Sequence, residues 1–247
     1  MAEWFTNPEA VAEEYASEEA FRERLLAFRE LVEGPNDEEI MRERILAARP
    51  HRLLDVGSGL SDLCVWAKAQ LDGEVVAVDS SPRMVELAAE AGVAAVLADM
   101  RDLPFADASF DCVVASMVLY HVPDPEAAIA EFVRVLTDDG LLLASTGSDD
   151  DAYRRLAWAS LFDEEPQPAP PPLSFSRENG RDLLLGHFRR VEQIDCDAVL
   201  VFPTRERLIR YVKALPLAKD AAGLVPDLTE PFRLPANATV FQARAAR

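Results

Sequence analysis

The sequence predicts an α/β protein built on a doubly wound, parallel sheet. Three observations predict it. From residue 52 onward short apolar runs alternate with helical segments, the runs are almost continuously Val, Leu and Ala, and the breaks between them carry Gly, Asp or Pro. Strands buried on both faces read as such runs, and the helices between them are the crossovers that parallel pairing requires.

The strands are expected at Leu53–Val56, Val75–Val78, Ala94–Ala98, Asp111–Ala115 and Leu141–Ser145, with helices over 60–71, 82–91 and 124–136. Ser81-Pro82 and Asp124-Pro125 mark two helix starts, each offering a capping side chain followed by a proline whose fixed φ suits the first helical position. Ile129, Phe132, Val133 and Leu136 give the second of these helices its buried stripe. Ahead of the core, Phe21, Leu25, Phe28 and Val32 recur at three- and four-residue steps, and "EGPND" interrupts the pattern. That predicts two N-terminal helices, a helical lid over 1–49 against a domain over 50–247. After the fifth strand, "GSDDDAYRRLAWASLF" reads as a helix and the proline-dense "DEEPQPAPPPLSF" as irregular chain, together a helical insertion over 148–175. Beyond it "SRENGRDLLLGHF" and "PTRERLIRYVKAL" read as helical, and "VEQIDCDAVLVF" and "ATVFQARA" as extended.

The 247 residues suit one large core with additions. Acidic residues outnumber basic ones 44 to 25, a net charge of -19, and such a surface repels polyphosphate backbones and anionic membranes. Nucleic acid and membrane are therefore not expected as partners. Cys64, Cys112 and Cys196 are odd in number and contain no CxxC pair, so they read as small buried hydrophobes, with no metal site expected. Residues 1–21 lack a basic and then apolar leader, and no run approaches the roughly 18 apolar residues of a membrane span, so a cytoplasmic protein is expected.

In an open parallel sheet the ligand crevice lies beyond the carboxyl ends of the strands, where strand order reverses. Four strand ends here carry chemistry. The first is Asp55-Val56-Gly57-Ser58-Gly59, whose glycines permit a tight turn and close approach of a ligand to backbone. Asp79 closes "VVAVD", where a carboxylate can accept the two hydroxyl protons of a ribose. Asp99-Met100 closes "AAVLADM", a carboxylate for an exocyclic amine with a thioether for a flat ring. "ASMVLYHVPD" brings Ser116, Met117, Tyr120 and His121 to the same rim. A dinucleotide fingerprint would need a third glycine where Asp62 stands, and a phosphate-binding loop would need the lysine that is missing. The ligand expected is a nucleoside without phosphate.

"LLDVGSG", "VVAVDSSPRMVELA", "ADMRDLPFADASFDCVVASMVLYHVPD" and "EFVRVLTDDGLLLAST", in that order, resemble the successive motifs of class I S-adenosylmethionine-dependent methyltransferases. The branch they resemble most holds the ubiquinone and menaquinone biosynthesis C-methyltransferases and many small-molecule enzymes. The resemblance covers residues 50–147 closely. It implies a Rossmann-like sheet, mostly parallel with an antiparallel last strand, and S-adenosyl-L-methionine as cofactor, released as S-adenosyl-L-homocysteine. It implies that Asp55, Gly57, Ser58 and Gly59 line the methionine moiety, that Asp79 holds the ribose hydroxyls with Ser80 beside the adenosine, and that Asp99, Met100 and Met84 frame the adenine. Ser116 would reach the methionine end. The family's further glycine is replaced by Leu60-Ser61.

The reaction expected is in-line methyl transfer to a small-molecule acceptor through an O, N or C nucleophile, by a monomer or homodimer. His121 is the candidate general base, because a histidine titrates near neutrality, and Tyr120 is the second catalytic candidate. Tyr15 is a candidate for closing over the cofactor, and Tyr153, His51 and His187 are weaker ones. Phe162, Leu173 and Phe175 are expected as apolar walls of an acceptor pocket. Two alternatives stay open: a non-catalytic S-adenosylmethionine-binding partner or sensor, and an enzyme using the same pocket for different chemistry.

Overall fold

The computed structural model describes residues 11, 15, 17–149, 158–162, 172–215 and 219–244. In chain order its elements are α1 (Glu18–Leu31), β1 (Val32–Glu33), α2 (Asp37–Ala48), β2 (Arg52–Val56), α3 (Asp62–Gln70), β3 (Glu74–Asp79), α4 (Pro82–Glu90), β4 (Ala94–Leu97), β5 (Phe110–Ser116), α5 (Pro125–Val135), β6 (Leu136–Thr146), α6 (Gly180–Leu185), β7 (Arg190–Cys196), β8 (Val199–Phe202), α7 (Arg205–Ala214), β9 (Phe232–Pro235) and β10 (Ala238–Arg244).

Seven strands form one sheet in the order β4-β3-β2-β5-β6-β10-β7. The pairs from β4 through β6 are parallel, and β10 runs antiparallel to both β6 and β7. This is the doubly wound sheet with an antiparallel last strand that the motifs implied. The chain winds outward from β2 to β4, then crosses back to lay β5 on the other side of β2, so strand order reverses between β2 and β5. That reversal leaves a crevice beyond their carboxyl ends.

Because successive side chains in a strand point to opposite faces, neighbours in each apolar run feed two different cores. Leu54, Val76, Val113 and Leu142 pack with Ile129 and Phe132 of α5 and Leu184 of α6. Leu53, Val75, Cys112 and Leu143 pack on the other face with Met41 and Ile45 of α2, Cys64 and Ala67 of α3, and Ala88 of α4. All three cysteines are buried and unpaired. The expected strand and helix positions therefore hold to within a few residues, and α2 is built into the body of the sheet.

Several local features differ from expectation. "VEQIDCDAVLVF" is two strands, separated at Asp197-Ala198, that enter different sheets: β7 joins the large sheet, and β8 pairs with β1 and β9 in a small antiparallel one. The small sheet packs with α7 around Phe202, Leu208 and Val212, and Phe28 and Leu31 of α1 lie against the same cluster. β6 begins at Leu136, opposite Phe110, and regains regular register at Leu141 opposite Cys112, so the turn residues of "TDDG" form an irregularity inside one strand. Asp124 caps α5 through the Ala127 N–H at 3.4 Å. Ser81 makes no capping bond with its side chain; its N–H donates to the Asp79 carboxylate two residues earlier. Among the described residues no helix is long and apolar enough to cross a membrane.

Phe175 and Phe241 meet edge to face at 5.5 Å beneath the first turn of α6. A Cβ on Gly180 would lie 2.6 Å from the Phe241 ring and 3.0 Å from Phe175. Gly180→Ala is expected to lower stability by about 1–3 kcal/mol through overpacking, even though alanine is the better helix former. Urea unfolding would show a lower midpoint with unchanged slope, and a raised midpoint would refute the packing account.

Candidate functional site

The loop leaving β2 is shaped by glycine at two points. Gly57 and Gly59 have φ of 69° and 51°, in the left-handed region that side chains disfavour. A Cβ on Gly57 would collide with Val118 of the loop after β5, and one on Gly59 would lie 3.0 Å from the Phe21 ring of α1. The N–H groups of Gly57 and Ser58 both donate to the Val78 carbonyl, at 2.8 and 3.1 Å, folding the loop against β3. The Gly59 N–H donates to Asp79 Oδ2 at 3.0 Å, and the Ser81 N–H to Asp79 Oδ1 at 2.8 Å. Burial pushes the Asp79 carboxyl up, and these backbone donors pull it back toward the ionised form.

Asp55, at 3% exposure, sits one strand over. Cys64 of α3 donates its thiol to Asp55 Oδ2 at 3.2 Å. Burial pushes the Asp55 carboxyl up to about 7; the thiol opposes the shift and the nearby Asp79 adds to it. The same burial, with Asp55 beside it, raises the Cys64 thiol, so Cys64 is an inert donor at neutral pH.

Asp99 lies exposed past the end of β4 and is gripped by Arg101, whose Nη2 is 2.6 Å from Oδ2 and whose Nε is 3.0 Å from Oδ1. Those bonds hold its carboxyl below the usual range. Met100 packs half-buried on the core, Ser80 is exposed, and Met84 is buried at 2% exposure. Leu60-Ser61 does not reproduce a glycine turn by sequence, yet Ser61 adopts φ of 60° and continues the left-handed path.

The exit of β5 supplies the other rim. Ser116 ends the strand, Met117 follows in a left-handed conformation with φ of 50°, and Leu119–His121 form one 3-10 turn. His121 Nε2 lies 3.0 Å from the Tyr15 hydroxyl, and the Tyr120 ring packs on His121 at 4.4 Å between centroids. Tyr15 also meets Phe21 edge to face at 5.0 Å. The beginning of α1 is fastened over this rim by Glu18 to Arg83 at 3.0 Å, and its last turn by Arg29 to Asp62 at 2.9 Å. Gly57, Gly59 and Asp79 thus follow or close β2 and β3 at their carboxyl ends, Ser116 and His121 do the same for β5, Tyr15 is bonded to His121, and Asp55 is buried within β2. His51 is elsewhere: its N–H and that of Arg52, at the amino end of β2, are held by Asp111. His187 is exposed after α6. Tyr153, and most of the expected insertion over 148–175, lie outside the described residues.

The expected acceptor walls need correction. Phe175 is fully buried in the main core against Phe241, and Phe162 stacks on Trp158 beside the small sheet. Phe175 is therefore a packing residue, while Phe162 is half-buried and so is Leu173, whose N–H donates to Asp149 Oδ1 at 2.8 Å. Four residues that shape the site are not among the candidates named from sequence, although Val118 and Ser145 lie within quoted motifs: Phe21 and Val118, which press on the glycines, and Asp37 and Ser145. Ser145 Oγ donates to Asp37 Oδ2 at 2.9 Å, accepts the Met117 N–H at 3.1 Å and lies 3.3 Å from Ser116 Oγ.

Residues 54–144, from β2 to β6, match the family model described as a methyltransferase domain. The chain is 29% identical over 205 residues, 78% of its own length and 67% of the relative's, to the malonyl-[acyl-carrier protein] O-methyltransferase of Xylella fastidiosa. It is 35% identical over 105 residues, 40% of its length and 48% of the relative's, to the demethylmenaquinone methyltransferase of Thermus thermophilus. Several other curated relatives are matched over less than half of their own length, from 31% to 45%. Among solved structures, the YcgJ protein of Bacillus subtilis superposes with a TM-score of 0.58 at 19% identity, covering 85% of this chain and 99% of that one, a likeness of fold.

Asp55 yields a pH test. Its folded-state value is raised, so its contribution to stability is fully present below the ordinary carboxylate value of 3.8 and is lost as pH rises toward about 7. Asp55→Asn removes that titration and keeps an acceptor for Cys64. Between about pH 5 and about pH 8 the parent is expected to lose on the order of 2 to 3 kcal/mol relative to the variant. Parallel melting curves for the two proteins across that range would contradict the assignment.

Proposed function

We propose, from the premise that residues 54–144 are a class I methyltransferase domain, that this chain transfers the methyl group of S-adenosyl-L-methionine to a small-molecule acceptor. The observation that carries the reading is the run of acceptor groups along successive strand tips. Asp55, Asp79, Asp99 and Ser116 accept hydrogen bonds, and the glycine loop has no lysine to hold a phosphate. Such a set suits a ligand rich in donors: ribose hydroxyls, an exocyclic amine and an ammonium.

Asp79 takes the ribose hydroxyls on the lone pairs that Gly59 and Ser81 leave open, and Ser80 lies beside the adenosine. Asp99, Met100 and Met84 frame the adenine. Asp55, Gly57, Ser58 and Gly59 line the methionine portion, and Ser116 meets its ammonium. S-adenosylmethionine supplies a methyl already activated on a sulfonium. The chain's part is to hold the acceptor in line with the carbon–sulfur bond and keep water away, which can supply up to about 7–11 kcal/mol. As the new bond to the methyl forms and the carbon–sulfur bond breaks, any proton on the nucleophile must leave. His121 is the group placed to take it, with Tyr15 on Nε2 orienting the ring and Tyr120 packed against it.

Tyr15 and α1 form the cover of this site, within the lid assigned to 1–49, and α2 belongs to its body. The relatives are named for methylation of malonyl-[acyl-carrier protein] and of demethylmenaquinone, which supports the class of reaction and leaves this chain's own acceptor to be found. Its charge of -19 supports a free small molecule over nucleic acid as acceptor; the cytoplasm, and a monomer or homodimer, complete the proposal.

Calorimetric titration with S-adenosylmethionine and S-adenosylhomocysteine, with NAD as control, tests the reading. Binding in the micromolar range, about 7–8 kcal/mol, is expected for the parent and a loss of at least about tenfold for Asp79→Ala. Binding of NAD in preference to both, or an unchanged Asp79→Ala, would overturn it.

A further inference from the structure

We infer that Asp37, at the start of α2, is a positioning residue: acting through Ser145, it fixes the Ser116 hydroxyl as a hydrogen-bond acceptor toward the ammonium end of the bound nucleoside. The inference rests on the methyl-transfer reading and assigns a role outside the strand-tip motifs, since Asp37 contributes no atom to the crevice.

A serine hydroxyl has one proton to donate and two lone pairs to accept with. In Ser145, which is fully buried, all three are accounted for. The proton goes to Asp37 Oδ2 at 2.9 Å, one lone pair takes the Met117 N–H at 3.1 Å, and the remaining one faces Ser116 Oγ at 3.3 Å. With its proton committed to Asp37, Ser145 can only accept from Ser116. Ser116 must therefore spend its own proton inward, and both of its lone pairs stay turned toward the crevice. A cationic ammonium, which only donates, requires that polarity.

Asp37 is 6% exposed and follows the cap residue Asn36, whose side chain accepts the Glu39 N–H at 3.0 Å. Burial pushes its carboxyl up, the Ser145 hydroxyl and the N–H groups of Asp37 and Glu38 oppose that, and the Glu38 charge adds to it. In either protonation state one oxygen remains an acceptor for Ser145. Without Asp37 the Ser145 proton would turn to Ser116, and the Ser116 proton would then point at the ligand.

The test compares two ligands on the parent and four variants. S-adenosylhomocysteine carries the ammonium, and methylthioadenosine lacks the whole amino-acid portion. Asp37→Ala is expected to weaken S-adenosylhomocysteine about tenfold, the scale of one charge-assisted hydrogen bond, and to leave methylthioadenosine within about twofold. Asp37→Asn, whose amide oxygen can still accept, is expected to restore S-adenosylhomocysteine binding. Asp37→Ala combined with Ser116→Ala should bind S-adenosylhomocysteine no worse than Ser116→Ala alone, because the two act along one path. Should Asp37→Ala fail to fold, Ser145→Ala takes its place with the same ligand-selective loss expected. Equal weakening of both ligands would make Asp37 merely structural, and no weakening, or additive losses in the double variant, would also overturn the role. A parent that binds neither ligand would instead overturn the methyl-transfer reading itself.

Discussion

The bond from the Gly59 N–H to the Asp79 carboxylate is the constraint on which the geometry of the crevice depends. It joins the loop after β2 to the tip of β3, two strands that already pair in parallel register up to Val56 and Val78. A charged acceptor for a backbone donor is worth about 1.5–3 kcal/mol, more than a neutral pair, and here it offsets the cost of a half-buried carboxylate. It also sets the conformation of the loop: for Gly59 to aim its N–H at Asp79, the chain must pass through the left-handed region at both Gly57 and Gly59. Room for those turns is what Val118 and Phe21 then occupy. The carboxylate, the two glycines and the contacts from β5 and α1 thus meet around one hydrogen bond.

The elements over the crevice are held on different terms from those beneath it. α2, α3 and α4 bury apolar side chains against one face of the sheet, where each fully buried Leu, Met or Ile contributes about 1.5–3 kcal/mol. α1 buries no residue completely. It is tied by ion pairs to Arg83, Asp62, Arg207 and Arg210, all with at least a quarter of each side chain in solvent. Exposed pairs contribute roughly 0–1 kcal/mol each and weaken with salt. Tyr15 to His121 and Phe21 on Gly59 are the contacts that bring α1 to the site, and both involve groups with a proposed part in binding or proton transfer. A helix held by partly buried Phe28 and Leu31 and by exposed ion pairs is thus the one that reaches the proposed site.

Most of the sheet was legible because its strands are buried on both faces. Leu53–Val56 and Val75–Val78 leave no alternative period to weigh, and the helices between them begin at Pro82 and Pro125. What could not be read was set by competition or by distance. Ser81 stands where a cap is expected, yet its hydroxyl makes no capping bond and its N–H is what binds the Asp79 carboxylate. "VEQIDCDAVLVF" looks like one strand because its burial pattern barely changes where the chain leaves one sheet for another. Phe175 has the composition of a pocket wall and the position of a core residue, and only Gly180 and Phe241 distinguish them. The strand-tip acids were legible one by one, since each closes an apolar run. Asp37 was not, because Ser145 lies 108 residues away and neither residue stands in a local pattern that announces the other.

The same contrast explains why the cofactor end of the site can be argued residue by residue and the acceptor cannot. Recognition of a nucleoside needs fixed acceptors, and a sheet provides them at strand tips whose spacing is dictated by backbone pairing. An acceptor that meets an already activated methyl needs orientation and dryness more than any one functional group, and side chains from unrelated elements can supply both. Here those are Tyr15 before α1, Met117 at 38% exposure in its left-handed turn, and Tyr120 and His121 in the turn that follows. Their convergence depends on how α1 crosses the rim and how Ser145 holds the Met117 N–H, both properties of packing. On the proposed reading, specificity for the acceptor rests on the part of the fold that pairing rules constrain least, and a change of acceptor would come from altering α1 and the turn after β5 while the sheet and its acids stayed as they are.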